Sequence, residues 1–441
     1  MSSEKSSHQA GVLSFAIGAK GAFKVFERVR HIWKRYGFST RKMDDALYQF
    51  WSILSEFDSS ATFPIPALVV QRNPEVIRKY QAKGIEFALH GLRHIDYSQL
   101  TYDEQLKELA MAKEIFSAAG IHFSGFRTPY LRRDSALNRA IEDQVLSYSS
   151  NQPIIWDALD LDSLEAADRK NYSLGLDFYK SWSANDRISM PILRNGVVRI
   201  PVTLPDDEML LDRLETNGQD YVYNAWSYIL DQTHQRGELF TLQLHPERIG
   251  LCADSLASIL KSAREMEPRV WIATLNEIDQ WWRKRLEVKV SISDISDGQF
   301  LVSINESGDI PVLVKNIEAD SIGEHYFGDY SRAIGPEFTF RSAYYPGIGL
   351  SGSCYDNWNE FLRQQGYLVE KIKENRKYTY RIDQDSQNGN SELEMIANIE
   401  SATNPLIRIG IWPTGYQSAL SVTGDLDGLT LWDYFLRLGG K

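Results

Sequence analysis

Between residues 61 and 277, short and nearly unbroken apolar runs alternate with runs whose apolar positions recur at helical spacing. The alternation predicts a β/α architecture. Strands are expected over 61–67, 84–90, 122–129, 145–149, 196–203, 239–245 and 270–275. Most are apolar on both faces, as strands of a parallel sheet covered on both sides must be. Helices are expected over 101–119, 255–265 and 276–285. A further helical face is made by Met43, Leu47, Phe50, Trp51 and Leu54.

The pattern changes near Leu286. Residues 286–293 alternate apolar and polar, and 300–305 and 309–316 follow as further short runs, the mark of half-exposed antiparallel strands. Residues 287–412 are therefore expected to form a mainly antiparallel module with one helix near 357–365. At Ser418 the parallel-type pattern returns in Ser-Ala-Leu-Ser-Val-Thr-Gly-Asp-Leu-Asp, followed by a helix-like run over 429–438. This divides the chain into 1–286, a β/α barrel; 287–412, the module; and 413–441, a strand and helix that return to complete the barrel.

Composition narrows the class. A length of 441 residues with 43% hydrophobic and 24% charged residues describes a folded globular chain, of more than one domain or of one domain with an insertion. The net charge of −11 argues against a protein that grips nucleic acid or anionic membrane. Two cysteines, Cys252 and Cys354, are too few for a disulfide framework and fit a reducing, cytoplasmic compartment. No run reaches the ~18 apolar residues of a membrane span. The apolar stretch 11–19, behind Glu4 and Lys5, fits a buried strand better than a signal peptide. Nothing in the sequence fixes an oligomeric state.

Four segments carry candidate chemistry, each at the end of an expected strand. His90-Gly-Leu-Arg-His94 offers two imidazoles to one metal, or two surface or capping histidines. Gly125-Phe-Arg127-Thr-Pro129-Tyr130 offers a guanidinium in a stiffened loop, able to grip a carboxylate or a helix end. Thr241-Leu-Gln-Leu-His245 offers an acid-base group or a buried structural histidine. Asp425-Leu-Asp427 places two carboxylates on one side of an extended segment, as a ligand and a base or as an acidic turn. Trp156 can wall a site or fill a core. Asp206, Asp207 and Glu208 follow the strand at 196–203 and stand either at the rim or at a helix N-terminus.

Taken together, His90-x-x-x-His94, Arg127-x-Pro129-Tyr130 and Leu242-x-Leu244-His245 resemble motifs two, three and five of the NodB-type polysaccharide deacetylases, carbohydrate esterase family 4. Order and strand-end placement match, over roughly residues 40–285 and the C-terminal tail. The resemblance implies an α/β fold, a distorted (β/α) barrel of about 7–8 strands, with the antiparallel β-rich module inserted. It implies a metal-dependent hydrolase that removes N-acetyl groups from a polysaccharide or other amino sugar. The alternatives are hydrolysis of another small amide on the same metal site, and a non-catalytic carbohydrate-binding barrel.

By the resemblance, His90, His94 and Asp427 hold one divalent metal, zinc by the family's habit. Asp425 is the base, oriented by Arg127, and His245 is the acid. Tyr130, Pro129 and Trp156 line a carbohydrate site, with Ile155-Trp156-Asp157 a loose match to the fourth motif. The family's first motif, an Asp pair after the first strand, has no counterpart in Leu13–Gly18. Asp44-Asp45 falls in a helical pattern. Asp425-x-Asp427 supplies the missing pair, so the chain is expected to be circularly permuted, with the tail strand beside 61–67.

Overall fold

The computed structural model describes residues 35–214, 219–296, 298–305, 308–383 and 391–438. The expected strand and acidless segment at 11–19 lie outside the described residues. The chain is α/β, built on one ten-stranded, mainly parallel sheet with helices packed around it. Its strands are β1 (Ala61–Ile65), β2 (Glu86–Leu89), β3 (Gly125–Phe126), β4 (Tyr148–Ile155), β5 (Trp182–Ser183), β6 (Ile192–Arg194), β7 (Val197–Leu204), β8 (Leu239–Leu244), β9 (Arg269–Ile272) and a C-terminal strand, Tyr416–Gly424. The order is β6-β7-β4-β3-β2-β1-C-terminal strand-β8, with β5 on β4 and β9 on the C-terminal strand. Between β7 and β8 the wall is bridged by a side chain, the Thr241 N–H donating to Thr203 Oγ1 at 3.2 Å. This is a distorted (β/α) barrel.

The tail strand sits where its apolar composition directs it. It is parallel to β1, with Ala61 opposite Val422 and Thr62 opposite Thr423. It is parallel to β8 over six residues, from Ala419 opposite Leu239 to Gly424 opposite Leu244. Its last seven residues are all buried. The ladder extends past its end, with Asp425 N–H donating to Leu244 O at 3.0 Å and Leu426 N–H to Pro64 O at 2.9 Å.

Two strands depart from expectation. The run at 122–129 gives only two ladder residues, Gly125–Phe126. A Cβ on Gly125 would lie 2.2 Å from the Tyr148 ring, so the strand is pinched there against β4. The strand expected at 145–149 begins later and runs on to Ile155. Val145 is exposed in a left-handed turn (φ 54°). The polar Ser-Ser-Asn-Gln at 149–152 hides the strand because it faces partners inside the barrel rather than an apolar layer. Helix Tyr102–Ala118 starts on a capping box between Thr101 and Glu104, and Leu275–Leu286 on another between Thr274 and Glu277.

Past Leu286 the chain builds three small sheets. Val290–Ser296, Gln299–Ile304 and Glu337–Arg341 pair antiparallel. Ile322–Phe327, Tyr330–Ala333, Val312–Lys315 and Leu406–Ile409 form a second antiparallel sheet. The third is parallel: Tyr345–Leu350 lies between Val369–Lys371 and Tyr378–Ile382, against helix Gly352–Gln364. Five of its six central residues are buried, the two-sided burial that favours parallel pairing. An apolar cluster joins this region to the barrel floor, where Leu239, Val198 and Ala419 meet Trp281, Trp282, Phe300 and Trp412. The module thus covers the N-terminal ends of the barrel strands and leaves the C-terminal ends to the site. No described helix is long and apolar enough to cross a membrane.

Candidate active site

The C-terminal ends of β2, β3, β8 and the C-terminal strand bring six of the expected side chains, His90, His94, Arg127, His245, Asp425 and Asp427, into one buried mouth. His90 follows β2 directly, its N–H held by Ile65 O at 3.0 Å. Gly91 turns the loop with φ 81°. A Cβ there would lie 2.7 Å from the Tyr97 ring, whose hydroxyl accepts from Leu92 N–H at 2.8 Å. That turn brings His94 back beside His90, with ring centroids 5.0 Å apart.

Asp427 meets both imidazoles. Its Oδ1 lies 2.9 Å from His94 Nε2 and 3.7 Å from His90 Nε2. His90 Nδ1 lies 2.8 Å from Arg127 O, which fixes the ring and turns Nε2 toward Asp427. His90 Nε2 and His94 Nδ1 are buried without a hydrogen-bond partner. Burial, then the charge of Arg437, push the His94 pKa down to about 4 against the pull of Asp427, so the ring is neutral near pH 7. Burial works to raise the Asp427 carboxyl, but Arg437 and then His94 outweigh it and hold it well below the usual range. Two imidazoles and one carboxylate, with an orphaned ring nitrogen between them, suit a divalent ion that keeps open positions.

Asp425 stands next to this group and belongs to a second network. Arg127 Nη1 donates to Asp425 Oδ1 at 2.9 Å, and Gln243 Nε2 to Oδ2 at 3.2 Å. Arg127 is fully buried and locked from three sides, to Ser150 O (3.1 Å), Ser150 Oγ (2.8 Å) and Thr423 Oγ1 (2.8 Å). Thr423 in turn donates to Leu242 O at 3.0 Å. This explains the polar stretch in β4: it holds Arg127, and Asn151 Oδ1 accepts from Thr128 N–H at 2.8 Å.

His245 stands opposite Asp425 at the end of β8. Its partner, Asp207, was weighed from sequence only as a rim or helix-start residue. Instead it is buried and grips His245 twice, Oδ1 at 2.7 Å from Nδ1 and Oδ2 accepting the backbone N–H at 2.8 Å. Burial opposes the charged imidazole, but Asp207 overrides it and lifts the His245 pKa to about 10. Burial and then Asp207 push neighbouring Asp206 up to about 7. The signal for Asp207 was the one used elsewhere, a carboxylate just past an apolar strand.

The supposed lining residues divide. Tyr130, at φ 60°, packs its ring edge-on against His94 at 4.5 Å. Pro129 is buried behind it. Trp156 is buried in the apolar core with the Arg236 guanidinium 4.8 Å from its ring centre. Asp157 is exposed and bonded to Asn185, so Asp207 rather than Asp157 is the acidic residue at the site. Asp44 lies in helix Arg41–Glu56, ion-paired to Lys79 at 2.7 Å and bonded to Tyr80.

The family model for polysaccharide deacetylase matches residues 42–148, which include His90, His94 and Arg127. No curated protein matches the chain. Among solved structures, the chain is similar to Puue allantoinase, at 20% identity over 54% of this chain and 72% of that one, TM-score 0.42. It is similar to a "probable polysaccharide deacetylase" from Pseudomonas aeruginosa PAO1, at 19% identity over 54% and 73%, TM-score 0.43. A CE4 family pseudoenzyme from Bacillus anthracis is more distant, at 14% identity over 43% and 57%, TM-score 0.26. The matched stretch, residues 42–148, is the one that carries the paired histidines and the buried arginine, and over it the chain is similar to the polysaccharide deacetylases.

Proposed function

We propose that this protein is a metal-dependent hydrolase that removes N-acetyl groups from a polysaccharide or another acetylated amino sugar. The observation that carries the proposal is the meeting of Asp427 with His90 and His94, beside Asp425 in the grip of Arg127. His90, His94 and Asp427 would hold one divalent ion, zinc by its fit to imidazole and carboxylate donors. When bound, such an ion supplies Lewis acidity to a water and to the acetyl carbonyl.

The protein's own groups do the proton work. Asp425 accepts the proton of the attacking water, with Arg127 and Gln243 holding its carboxylate in place. His245 keeps its proton at neutral pH because Asp207 stabilises the imidazolium. Asp207 takes Nδ1, so Nε2 is the atom that gives a proton to the leaving nitrogen as the amide C–N bond breaks. The products are acetate and the free amine. A backbone N–H of the Tyr130 turn would steady the developing oxyanion.

The same proposal makes the chain a circularly permuted deacetylase. The tail strand supplies the Asp-x-Asp pair, and residues 287–412 interrupt the barrel. Its support is the parallel placement of Tyr416–Gly424 between β1 and β8.

Metal analysis of the purified protein and acetate release from N-acetylated oligosaccharides test the function. One metal per chain with acetate release is expected. Release from small cyclic amides but not from acetylated sugars would make it an amide hydrolase of another kind. Sugar binding with neither metal nor turnover would leave a carbohydrate-binding barrel.

A further inference from the structure

The helix Leu431–Leu438 follows the Asp427 loop and is firmly anchored. Asp433 Oδ2 accepts from the N–H groups of Leu429 (3.0 Å) and Thr430 (2.9 Å), and Oδ1 pairs with Arg72 Nε at 2.6 Å. Leu431 N–H donates to Gly37 O at 2.8 Å. The anchored helix delivers Arg437 to the mouth of the barrel. Arg437 Nη1 donates to Asp427 Oδ2, the oxygen not facing the histidines. Its Nε lies 3.4 Å from the Tyr130 hydroxyl, and its guanidinium sits 5.4 Å from the centre of the Tyr130 ring, which packs on His94. The two oxygens of Asp427 are thus divided, Oδ1 to the imidazoles and Oδ2 to Arg437.

We propose that Arg437 is a positioning residue that makes Asp427 a one-oxygen ligand. The inference rests on the metal role proposed above for His90, His94 and Asp427. A carboxylate free to turn can offer both oxygens, which suits larger ions. One whose second oxygen is held by a guanidinium presents a single donor at a fixed angle, which suits a small ion with two imidazoles and open positions. Groups that hold a ligand from behind contribute strongly, their loss weakening metal binding by about 10–100-fold. Here that group comes from the tail helix, so the tail supplies both the carboxylate and the clamp that aims it.

The test is a zinc titration of metal-stripped wild type, Arg437→Met and Arg437→Lys, in competition with a chromophoric chelator. Folding is checked by thermal denaturation. Arg437→Met keeps length and packing but no donor, and is expected to bind zinc about 10–100-fold more weakly. Its affinity for cadmium, a larger ion, is expected to fall less. Arg437→Lys keeps one charged donor and should recover part of the loss. A folded Arg437→Met protein that binds zinc as tightly as wild type, or more tightly, overturns the inference. If Arg437→Met does not fold, Arg437→Lys carries the test, and parity with wild type overturns it. A wild-type chain that binds no zinc or cadmium while folded removes the metal role itself, and the inference with it, which distinguishes the two failures.

Discussion

Asp207 decides what His245 can do. The buried carboxylate holds the imidazole protonated at neutral pH, the state a general acid needs. Asp207→Asn should therefore lower the His245 pKa and move the alkaline limb of a kcat/KM against pH profile to lower pH. An unchanged limb would assign that limb to another group. Stability follows the same proton. His245 binds it more tightly in the folded state than in a free chain, so the stabilisation is complete below about pH 6.5. It is lost as pH rises toward about 10. Denaturation midpoints of wild type and Asp207→Asn should converge over that window and stay parallel below it.

The two kinds of histidine should separate by substitution. His90→Ala should lose metal and activity together, and metal retained in full by both His90→Ala and His94→Ala would refute the ligand assignment. His245→Ala should keep its metal and lose turnover by roughly 10²–10⁴. Loss of metal from that variant would place His245 among the ligands. At this scale the sequence was informative wherever a chemical side chain followed an apolar run, as with His90, Arg127, His245, Asp425 and Asp427. It was silent on Arg437, which lies in an amphipathic helix where an arginine looks like solvated surface.

Among the elements, the tail strand makes the tightest fit. A Cβ on Gly424 would lie 2.7 Å from Phe63 and 3.0 Å from Pro246. Phe63 is fully buried and packs edge-on against Phe50 at 5.0 Å and Phe87 at 6.1 Å, so its ring has little room to yield. Gly424→Ala should destabilise the fold by about 1–3 kcal/mol, the usual penalty of overpacking. A melting temperature equal to wild type would show that the junction of the tail strand, β1 and β8 is looser than drawn. The strands that were easy to foresee, β1, β2, β7, β8 and the tail strand, are apolar on both faces. The one displaced, β4, turns Ser150 and Asn151 inward to Arg127 and Thr128, and inward-facing polar groups do not register in an apolar pattern.

For the whole molecule, the tail strand lies inside the sheet rather than at its edge. A chain cut after Pro413 should fail to fold cooperatively and should neither bind metal nor hydrolyse, against the tolerance of most termini to trimming. Adding residues 414–441 back as a separate peptide should restore some activity if the pocket between β1 and β8 survives. A truncated chain that folds and turns over would remove Asp425 and Asp427 from the chemistry. That the late strand belongs with the early ones was legible because a parallel-type run reappears after a region of alternating strands. The parallel sheet at 345–382 was not, since its short central strand contains two glycines and reads as a turn-rich segment.

The place of the tail strand also gives the protein a problem in time. β1 and β8 emerge from the ribosome with their facing edges unpaired, and about 170 residues separate Leu244 from Tyr416. At ~5–20 residues per second that interval is on the order of 10–30 s. Throughout it the nascent barrel carries two apolar strand edges with no partner, the kind of surface that invites pairing with a neighbouring chain. Newly made protein should therefore depend on chaperones far more than the finished protein does, and slow codons within the module would worsen its yield without altering a single residue.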